Sequence, residues 1–210
     1  MLTVHHLGVS QSERIVWLCE ELAIPYQLVN YARDPVTRLA PAQYKALHPF
    51  GTAPVIVDGP VVLSESGAII EYIIARHGKG RLSVRPDAPN YADYLFWFHF
   101  ANGSMMPVQF AGATKPTPDE SPRIRLSRER CERTWTMVEE RLGEVPYFAG
   151  AEFTAADIIM VFVLTTMRAF VPRDISGNPN VLAYLQRIGA RPAYRQAMQK
   201  GDPTMQPLLT

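Results

Sequence analysis

The chain has 210 residues and a formal net charge of +1, and 47% of its residues are hydrophobic, 20% charged and 10% aromatic. This is the composition of an ordinary globular protein, and it excludes a disordered, collagen-like or low-complexity chain. The length allows one large domain or two small ones. The near-neutral charge gives no overall field that would attract a polyanion, so we expect no nucleic-acid partner.

Cysteine and histidine usage gives no sign of a metal site. The two cysteines, Cys19 and Cys131, cannot form a disulfide framework, and no Cys/His cluster has the spacing of zinc ligands. His5, His6 and His99 are expected to be strand and core histidines rather than ligands. We therefore expect no metal.

The sequence also predicts no membrane segment. Residues Met1–His6 are not a basic region followed by an apolar one, so we expect no secretory signal. Leu95–Thr114 lacks Asp, Glu, Lys and Arg over about the length of a membrane span, but polar residues such as His99 and Gln109 interrupt it. Burying those groups in lipid costs free energy, which favours a buried helix. We expect a cytoplasmic protein with no membrane partner.

Strand and helix patterns alternate over the first eighty residues. Strands are predicted over Leu2–Leu7 and Tyr26–Tyr31, and between them lies a helix that opens at Ser10 and stops at Pro25. A short helix is predicted over Pro41–Leu47. This part of the chain is therefore a β-α-β unit followed by a helix.

A hairpin and another helix complete this region. The β-branched runs Val55–Val57 and Val61–Leu63 flank the turn Asp58–Pro60, which is typical of an antiparallel hairpin. The next helix begins at Ser64 or Glu65. Joined to a right-handed β-α-β crossover, this unit predicts a four-stranded mixed sheet flanked by helices.

The rest of the chain is predicted to be helical. Arg81–Asn90 contains two prolines and reads as a linker, and no strand pattern competes with helix beyond it. Phe153–Ile158 indicates a helix start with Thr154 as the N-cap and Asp157 at N3. Further helices are predicted over Tyr91–Asn102 and Cys131–Leu142 and from about Asn180 and Pro192. The predicted domains are residues 1–80 and 91–210, joined by a linker at 81–90.

Four motifs occur in a fixed order along this framework: Ser10–Ile15, His48–Val55, Ser64–Ile69 and Phe153–Ile158. Together they resemble the cytosolic glutathione S-transferase family, in its serine-type branch. The resemblance covers essentially the whole chain. It implies an α/β thioredoxin-like N-terminal domain that binds glutathione and an all-α C-terminal domain. It also implies a homodimer, because the family is usually dimeric.

The resemblance implies that Ser10 is the catalytic hydroxyl. The nucleophile of such an enzyme is the glutathione thiolate, and a free thiol has a pKa of ~8.5, so the site must favour the anion. A hydroxyl that donates to sulfur at a helix N-terminus does so. Ser10 and Glu13 also fit a capping box, in which Ser10 only satisfies a backbone amide. Ser12 is the alternative if the register slips by two residues.

The other expected glutathione contacts also come from the resemblance. Ser66 would take the γ-glutamyl carboxylate at a helix N-terminus, and Glu65 would offset the ammonium group. Ala53-Pro54 is similar to the thioredoxin-like cis-proline step, where the backbone pairs with the cysteinyl unit. Thr52 departs from the longer polar residue of many relatives, which leaves the glycine carboxylate contact open. The candidates for that contact are Thr52, Lys45, His48 and Arg14.

The apolar electrophile is expected to bind near Val9, Met106 and Phe110. The resemblance thus predicts a glutathione transferase that conjugates the glutathione thiolate to small hydrophobic electrophiles, a detoxification reaction. Two other functions remain open from the sequence. One is glutathione-dependent disulfide or peroxide reduction, and the other is a non-catalytic protein with the same fold.

Overall fold

The structure is a computed structural model that describes residues 1–112, 117 and 121–210. Its strands are β1 (Leu2–Leu7), β2 (Gln27–Tyr31), β3 (Val55–Asp58) and β4 (Val61–Ser64). Its α-helices are α1 (Glu13–Leu22), α2 (Ala42–Lys45), α3 (Ser66–Arg76), α4 (Tyr91–Phe100), α5 (Met106–Gly112), α6 (Pro122–Glu144), α7 (Ala155–Leu164), α8 (Pro179–Ala190) and α9 (Pro192–Gly201). A π-helical segment, Ala101–Met105, precedes α5, and a 3₁₀ turn, Thr166–Ala169, follows α7.

The described residues divide into two compact units. The first contains Met1–Ser83 and Ile188–Pro207, and the second contains Val84–Arg187 and Leu208–Thr210. Within the described residues, no helix is long and apolar enough to cross a membrane. The last two residues of the uncharged segment Leu95–Thr114 lie outside that part of the chain.

The first unit is built on a four-stranded mixed sheet in the order β2-β1-β3-β4. β1 pairs parallel to β2 and antiparallel to β3, and β3 and β4 form the hairpin. Val4 in β1 is opposite both Leu28 in β2 and Ile56 in β3, and it is fully buried. The predicted mixed sheet and hairpin are confirmed.

The C-terminal helix α9 packs on α1 within the first unit. The rings of Trp17 and Tyr194 meet edge to face with their centroids 4.9 Å apart. Both carboxylate oxygens of Glu21 accept hydrogen bonds from Arg191, at 2.7 and 2.8 Å. The sequence analysis places this helix with the helical residues 91–210, whereas its contacts group it with the sheet.

In the second unit, α7 begins at the predicted capping box. The Thr154 hydroxyl accepts from the Ala156 amide, and Asp157 accepts from the Thr154 amide at 2.8 Å. Asp157 is fully buried and also accepts from the Phe148 amide and the Tyr184 hydroxyl. Burial raises the pKa of Asp157 to about 6, although these hydrogen bonds act in the opposite direction. The prediction of this helix start is confirmed.

Candidate functional site

The Ser10 and Ser12 hydroxyls lie in the turn between β1 and α1. Ser10 Oγ donates to the Leu7 carbonyl at 2.7 Å and lies 2.8 Å from Ser12 Oγ. Ser12 Oγ accepts from the Leu7 amide at 3.0 Å and lies 2.9 Å from Nδ1 of His6. Ser10 keeps 5% of its surface exposed, whereas Ser12 keeps 0%. Only Ser10, of this pair, retains a surface that a ligand could touch.

The capping-box alternative for Ser10 is wrong. The helix α1 begins at Glu13, three residues later than predicted, and Ser12 occupies the N-cap position without a side-chain capping bond. The Ser10 hydroxyl accepts from the Ser12 amide at 3.2 Å, and Glu13 instead donates its amide to the Ser10 carbonyl. Both hydroxyls bond to Leu7 in β1, and the Ser10 hydroxyl also bonds to the Ser12 amide just before α1.

Ser66 lies at the start of α3, next to the first turn of α1. Its hydroxyl donates to Gln11 Oε1 at 3.4 Å and accepts from Nη1 of Arg14 at 3.3 Å. Ser66 and Arg14 are fully buried, and Gln11 directly follows Ser10 in the chain. The N-terminal ends of α1 and α3 therefore adjoin, and Arg14 belongs to this end of the site.

Glu65 precedes α3 in a left-handed conformation with φ of 82°. Its side chain accepts from the Ser66 amide at 3.2 Å and is otherwise exposed. A non-glycine residue in this region costs of the order of 1–3 kcal/mol, and such residues cluster at ligand-binding sites. Glu65 is thus the N-cap of α3, which begins at Ser66 rather than at Ser64 or Glu65.

The peptide bond Ala53–Pro54 is cis, as the sequence analysis predicts. Pro54 is buried and directly precedes β3, and its carbonyl accepts from the Ser64 hydroxyl at 3.0 Å. Since Ser64 is followed by Glu65 and Ser66, the hairpin carries the cis-proline step to the start of α3. The three predicted glutathione segments are therefore neighbours in the fold.

The candidates for the glycine carboxylate lie apart from Arg14. Thr52 and Lys45 are exposed, and His48 is half-buried with Nδ1 accepting from the Phe50 amide at 3.2 Å. These three residues belong to α2 and the loop that follows it, before the cis-proline. Arg14 is committed to Ser66 and Gln11, which argues against it as the glycine carboxylate contact.

The residues predicted to bind the electrophile fall in different units. Val9 lies in the first unit, next to Ser10, with φ of 51° and its amide bonded to Asp202 Oδ1 at 2.8 Å. Met106 and Phe110 lie on α5 in the second unit, and the Phe110 side chain is 56% exposed. Their role stays a prediction.

Both cysteines are buried and free. Burial raises the pKa of the Cys19 thiol, and the nearby Glu20 adds to this rise. Burial likewise raises the pKa of the Cys131 thiol. No group of three or more His, Cys, Asp or Glu side chains that could hold a metal occurs among the described residues.

Sequence reasoning missed two residues that contact this site. His6 is a buried strand histidine, as expected, but its ring also contacts Ser12, and its Nε2 lies 3.0 Å from Asp202 Oδ2. Asp202 is 196 positions away in the chain, so no local spacing could have paired the two residues. The adjacent Gly201 packs against the His6 ring.

Comparison with known proteins defines the class. The family model for the glutathione S-transferase N-terminal domain matches residues 10–76, and that for the C-terminal domain matches residues 121–187. Glutathione S-transferase 3 of Schizosaccharomyces pombe is 33% identical over 95% of this chain and 88% of its own length. Glutathione S-transferase GstB of Escherichia coli is 27% identical over 89% of this chain and 91% of its own length.

A solved structure gives the same result. The glutathione S-transferase of Actinobacillus pleuropneumoniae matches with a TM-score of 0.86 and 32% identity, covering 96% of this chain and 93% of its own. The two-domain class is thus that of the glutathione S-transferases. The chain belongs to the glutathione S-transferase family, as the resemblance of its motifs implies.

Proposed function

We propose that this protein is a glutathione transferase that conjugates the glutathione thiolate to small apolar electrophiles. The observation that carries the proposal is the convergence of three segments in the first unit. These segments are the Ser10 turn, the cis step Ala53–Pro54 and the pair Glu65–Ser66. Ser66 donates to Gln11 in the Ser10 turn, and Ser64, which directly precedes the pair, donates to the Pro54 carbonyl. The relatives named above are themselves called glutathione S-transferases, which supports the same activity.

Ser10 is the hydroxyl that donates to the sulfur in this proposal. It lies in the turn that leads into α1, so the positive end of the helix dipole adds to its effect on the thiolate. Its residual exposure of 5%, against 0% for Ser12, favours Ser10 over the alternative. A hydrogen bond to the charged form lowers the pKa of a thiol.

Ser66 and Glu65 hold the γ-glutamyl end. Ser66 is the first residue of α3, so a carboxylate bound at its hydroxyl and amide is stabilised by the helix dipole. Glu65 is exposed and acidic, so it suits the ammonium group of the same residue. The Ala53 backbone pairs with the cysteinyl unit, and Thr52, His48 or Lys45 takes the glycine carboxylate.

The remaining parts of the proposal rest on the family. Val9, Met106 and Phe110 contribute to the electrophile site, and the enzyme acts as a cytosolic homodimer. Conjugation makes an apolar electrophile more soluble in water, which is a detoxification reaction. Light scattering on the purified chain tests the dimer.

The cheapest test of the proposal is a thermal shift with glutathione. A ligand at a hundredfold excess over its Kd stabilises the folded state by ~2.7 kcal/mol, so the melting temperature rises. The absence of a shift at millimolar glutathione contradicts the proposal. S-methylglutathione serves as the control that separates binding of the peptide from binding of its thiolate.

Activity assays with a general aryl halide identify the hydroxyl. Ser10→Ala is expected to reduce kcat/KM by ~10²-fold, the usual loss on removing one donor to a developing anion. It is also expected to raise the pKa of the bound thiol. Retained conjugation in Ser10→Ala would show that another group stabilises the thiolate. Disulfide or peroxide reduction without aryl halide conjugation would instead favour the reductase alternative.

A further inference from the structure

A buried chain of four side chains leads from the proposed sulfur position into the first unit. Ser10 Oγ lies 2.8 Å from Ser12 Oγ, and Ser12 Oγ lies 2.9 Å from Nδ1 of His6. On the far side of the ring, Nε2 lies 3.0 Å from Asp202 Oδ2. His6 and Ser12 are 0% exposed, Ser10 is 5% and Asp202 is 7%. Each of the four side chains is therefore buried.

The number of donors and acceptors limits the possible positions of the protons. The Asp202 carboxylate accepts from the Val9 amide through Oδ1, and as an acceptor it requires a proton on Nε2 of His6. In a neutral imidazole, Nδ1 is then bare and accepts the Ser12 hydroxyl proton. Ser12 Oγ also accepts from the Leu7 amide, which leaves it one free lone pair. The single Ser10 proton points to the Leu7 carbonyl at 2.7 Å, and rotation of the hydroxyl turns it to that lone pair at 2.8 Å. In the rotated arrangement the donors run from Ser10 to Ser12 and then to Nδ1 of His6.

Charged side chains from two segments lie near His6. Asp202 faces the ring directly from the segment after α9. Arg33 donates to the carbonyls of Gly8 and Val9, at 2.8 and 3.1 Å, and its charge also interacts with Asp202. His6, Tyr31, Arg33, Arg38 and Asp202 together line one cavity of about 400 Å³. Asp202 is the charged group in contact with the ring.

Gly201 allows the close approach of Asp202 to His6. A methyl group on Gly201 would lie 3.0 Å from Nε2 and 3.2 Å from Cε1 of His6. Side chains are rarely accommodated at such a distance without a shift of the neighbour. The absence of a side chain at this position at the end of α9 therefore keeps the imidazole in line with both of its partners.

We propose that Asp202, His6, Ser12 and Ser10 form a proton relay that stores the thiol proton of glutathione on His6. The proposal rests on the proposed function, in which the sulfur lies at Ser10. The S–H proton moves to Ser10 Oγ as the Ser10 proton moves to Ser12 Oγ and the Ser12 proton moves to Nδ1 of His6. One proton is transferred in total, and no bond between heavier atoms changes.

The products of this transfer stabilise each other. The sulfur becomes a thiolate, and His6 becomes an imidazolium that is paired with Asp202. The direction of every hydrogen bond in the relay has then reversed, so His6 donates to Ser12, Ser12 to Ser10 and Ser10 to the thiolate. Ser10 is the catalytic residue that touches the substrate, whereas Ser12, His6 and Asp202 act through it as positioning residues.

The test compares the thiolate formed on binding with the protons released. Ultraviolet absorbance measures the thiolate, and an indicator in weakly buffered solution measures the protons, at several values between about pH 5 and 8. In the unaltered protein we expect more thiolate formed than protons released at the lower pH values, because His6 keeps the proton. A ratio of one at every pH overturns the relay.

Asp202→Asn supplies the matched variant. Its amide group donates to Nε2, so His6 carries its proton on Nδ1 and cannot accept another. We expect a thiolate-to-proton ratio of one, less thiolate at neutral pH, and kcat/KM reduced at least about tenfold with a smaller change in KM. Gly201→Ala, which displaces the ring, is expected to move the ratio in the same direction. If Asp202→Asn keeps the thiolate-to-proton ratio of the unaltered protein, the proposal is wrong.

Two controls separate the relay from other effects. Glu21→Gln weakens the Arg191 pair between α1 and α9 without touching the relay, and it is expected to keep the ratio of the unaltered chain. Ser10→Ala tests the proposed function itself. If it forms as much thiolate as the unaltered chain, the sulfur position is wrong. If Ser10→Ala forms less thiolate but the unaltered protein has a thiolate-to-proton ratio of one, the relay is wrong and the proposed function stands. If a variant fails to fold, the ratio of the unaltered chain decides.

Discussion

Arg14 donates a hydrogen bond from Nη1 to Ser66 Oγ over 3.3 Å, and the two residues are 52 positions apart in the chain. Both are fully buried, and burial lowers the pKa of Arg14 to about 9, with Glu13 and Glu65 acting in the opposite direction. A cation close to two helix N-termini is unfavourable for their dipoles. A carboxylate bound at Ser66 would relieve this, so we expect Arg14 to favour binding of the γ-glutamyl anion there.

Arg14→Lys is therefore expected to raise KM for glutathione by about tenfold, with a smaller effect on kcat. Nη1 of Arg14 donates to both Gln11 and Ser66, and a lysine ammonium does not reproduce the fixed directions of the guanidinium N–H groups. Steady-state kinetics with glutathione varied gives the result. Arg76→Lys, at the exposed end of α3, is the control and should leave KM unchanged. An unchanged KM in Arg14→Lys argues against this role.

Glu65→Gln tests the ammonium contact. The change keeps the shape and an acceptor for the Ser66 amide but removes the charge. We expect KM for glutathione to rise about tenfold. Because the carboxylate is exposed, this corresponds to the low end of the free energies measured for hydrogen bonds to charged groups. Glu71→Gln lies on the same helix and provides the control. A KM that rises equally in both variants would point to a general charge effect instead.

The thiols offer a third prediction. Cys19 is 0% exposed and Cys131 is 5% exposed, and burial raises the pKa of both, which disfavours the reactive thiolate. The native protein is expected to react with an aromatic disulfide reagent at neither thiol on the time scale of the assay. In denaturant, both should react. Rapid modification of the native protein with loss of conjugation would favour a cysteine-dependent activity.

Local sequence patterns predicted the elements whose causes are local. Thr154 and Asp157 are three positions apart, so the capping box could be read directly, and β1 has the bounds expected from Leu2–Leu7. Ser10 and Glu13 have the same spacing, but the Glu13 amide donates to the Ser10 carbonyl, while the Ser10 hydroxyl accepts from the Ser12 amide. Spacing alone cannot reveal which of the two Ser10 oxygens accepts from the Glu13 amide.

The candidate site was predictable only in part for the same reason. Ser10, Ala53-Pro54 and Glu65-Ser66 belong to motifs that can be recognised within a few residues. The pairing of His6 with Asp202 depends on α9 returning to α1, which is a tertiary contact. Helix-to-sheet contacts over such a distance in sequence follow from packing of the whole unit, and no periodicity encodes them.

The capping box at α7 leads to a stability prediction. Thr154 is 4% exposed, and its hydroxyl bonds to both Ala156 and Asp157. Thr154→Ala is expected to lower the free energy of unfolding by ~0.5–2 kcal/mol, the usual loss for an N-cap. Urea unfolding measures it, with Thr136→Ala on the exposed face of α6 as the control. A loss no larger than that of the control would show that the box contributes little.

Asp58 gives a prediction for the pH dependence of stability. Its Oδ2 lies 2.7 Å from Nε2 of His77 and accepts from the Tyr72 hydroxyl at 3.0 Å. The hydrogen bond with His77 lowers the pKa of Asp58 below its usual value of 3.8, and Tyr72 adds to this. The folded state therefore binds the proton less readily than the unfolded state. This stabilisation is present above about pH 3.8 and is lost as the pH falls through the lower folded value.

Asp58→Asn is accordingly expected to lower the melting temperature most at neutral pH, and the gap to the unaltered chain should narrow below about pH 3.8. Circular dichroism melts at a series of pH values give the two curves. Asp87→Asn is the matched control, because the Arg85–Asp87 pair has side chains 82% and 69% exposed and contributes little. A gap that stays constant down to the lowest pH would mean that Asp58 acts through shape alone, since a charge-dependent contribution has to disappear once the carboxylate is protonated in both states.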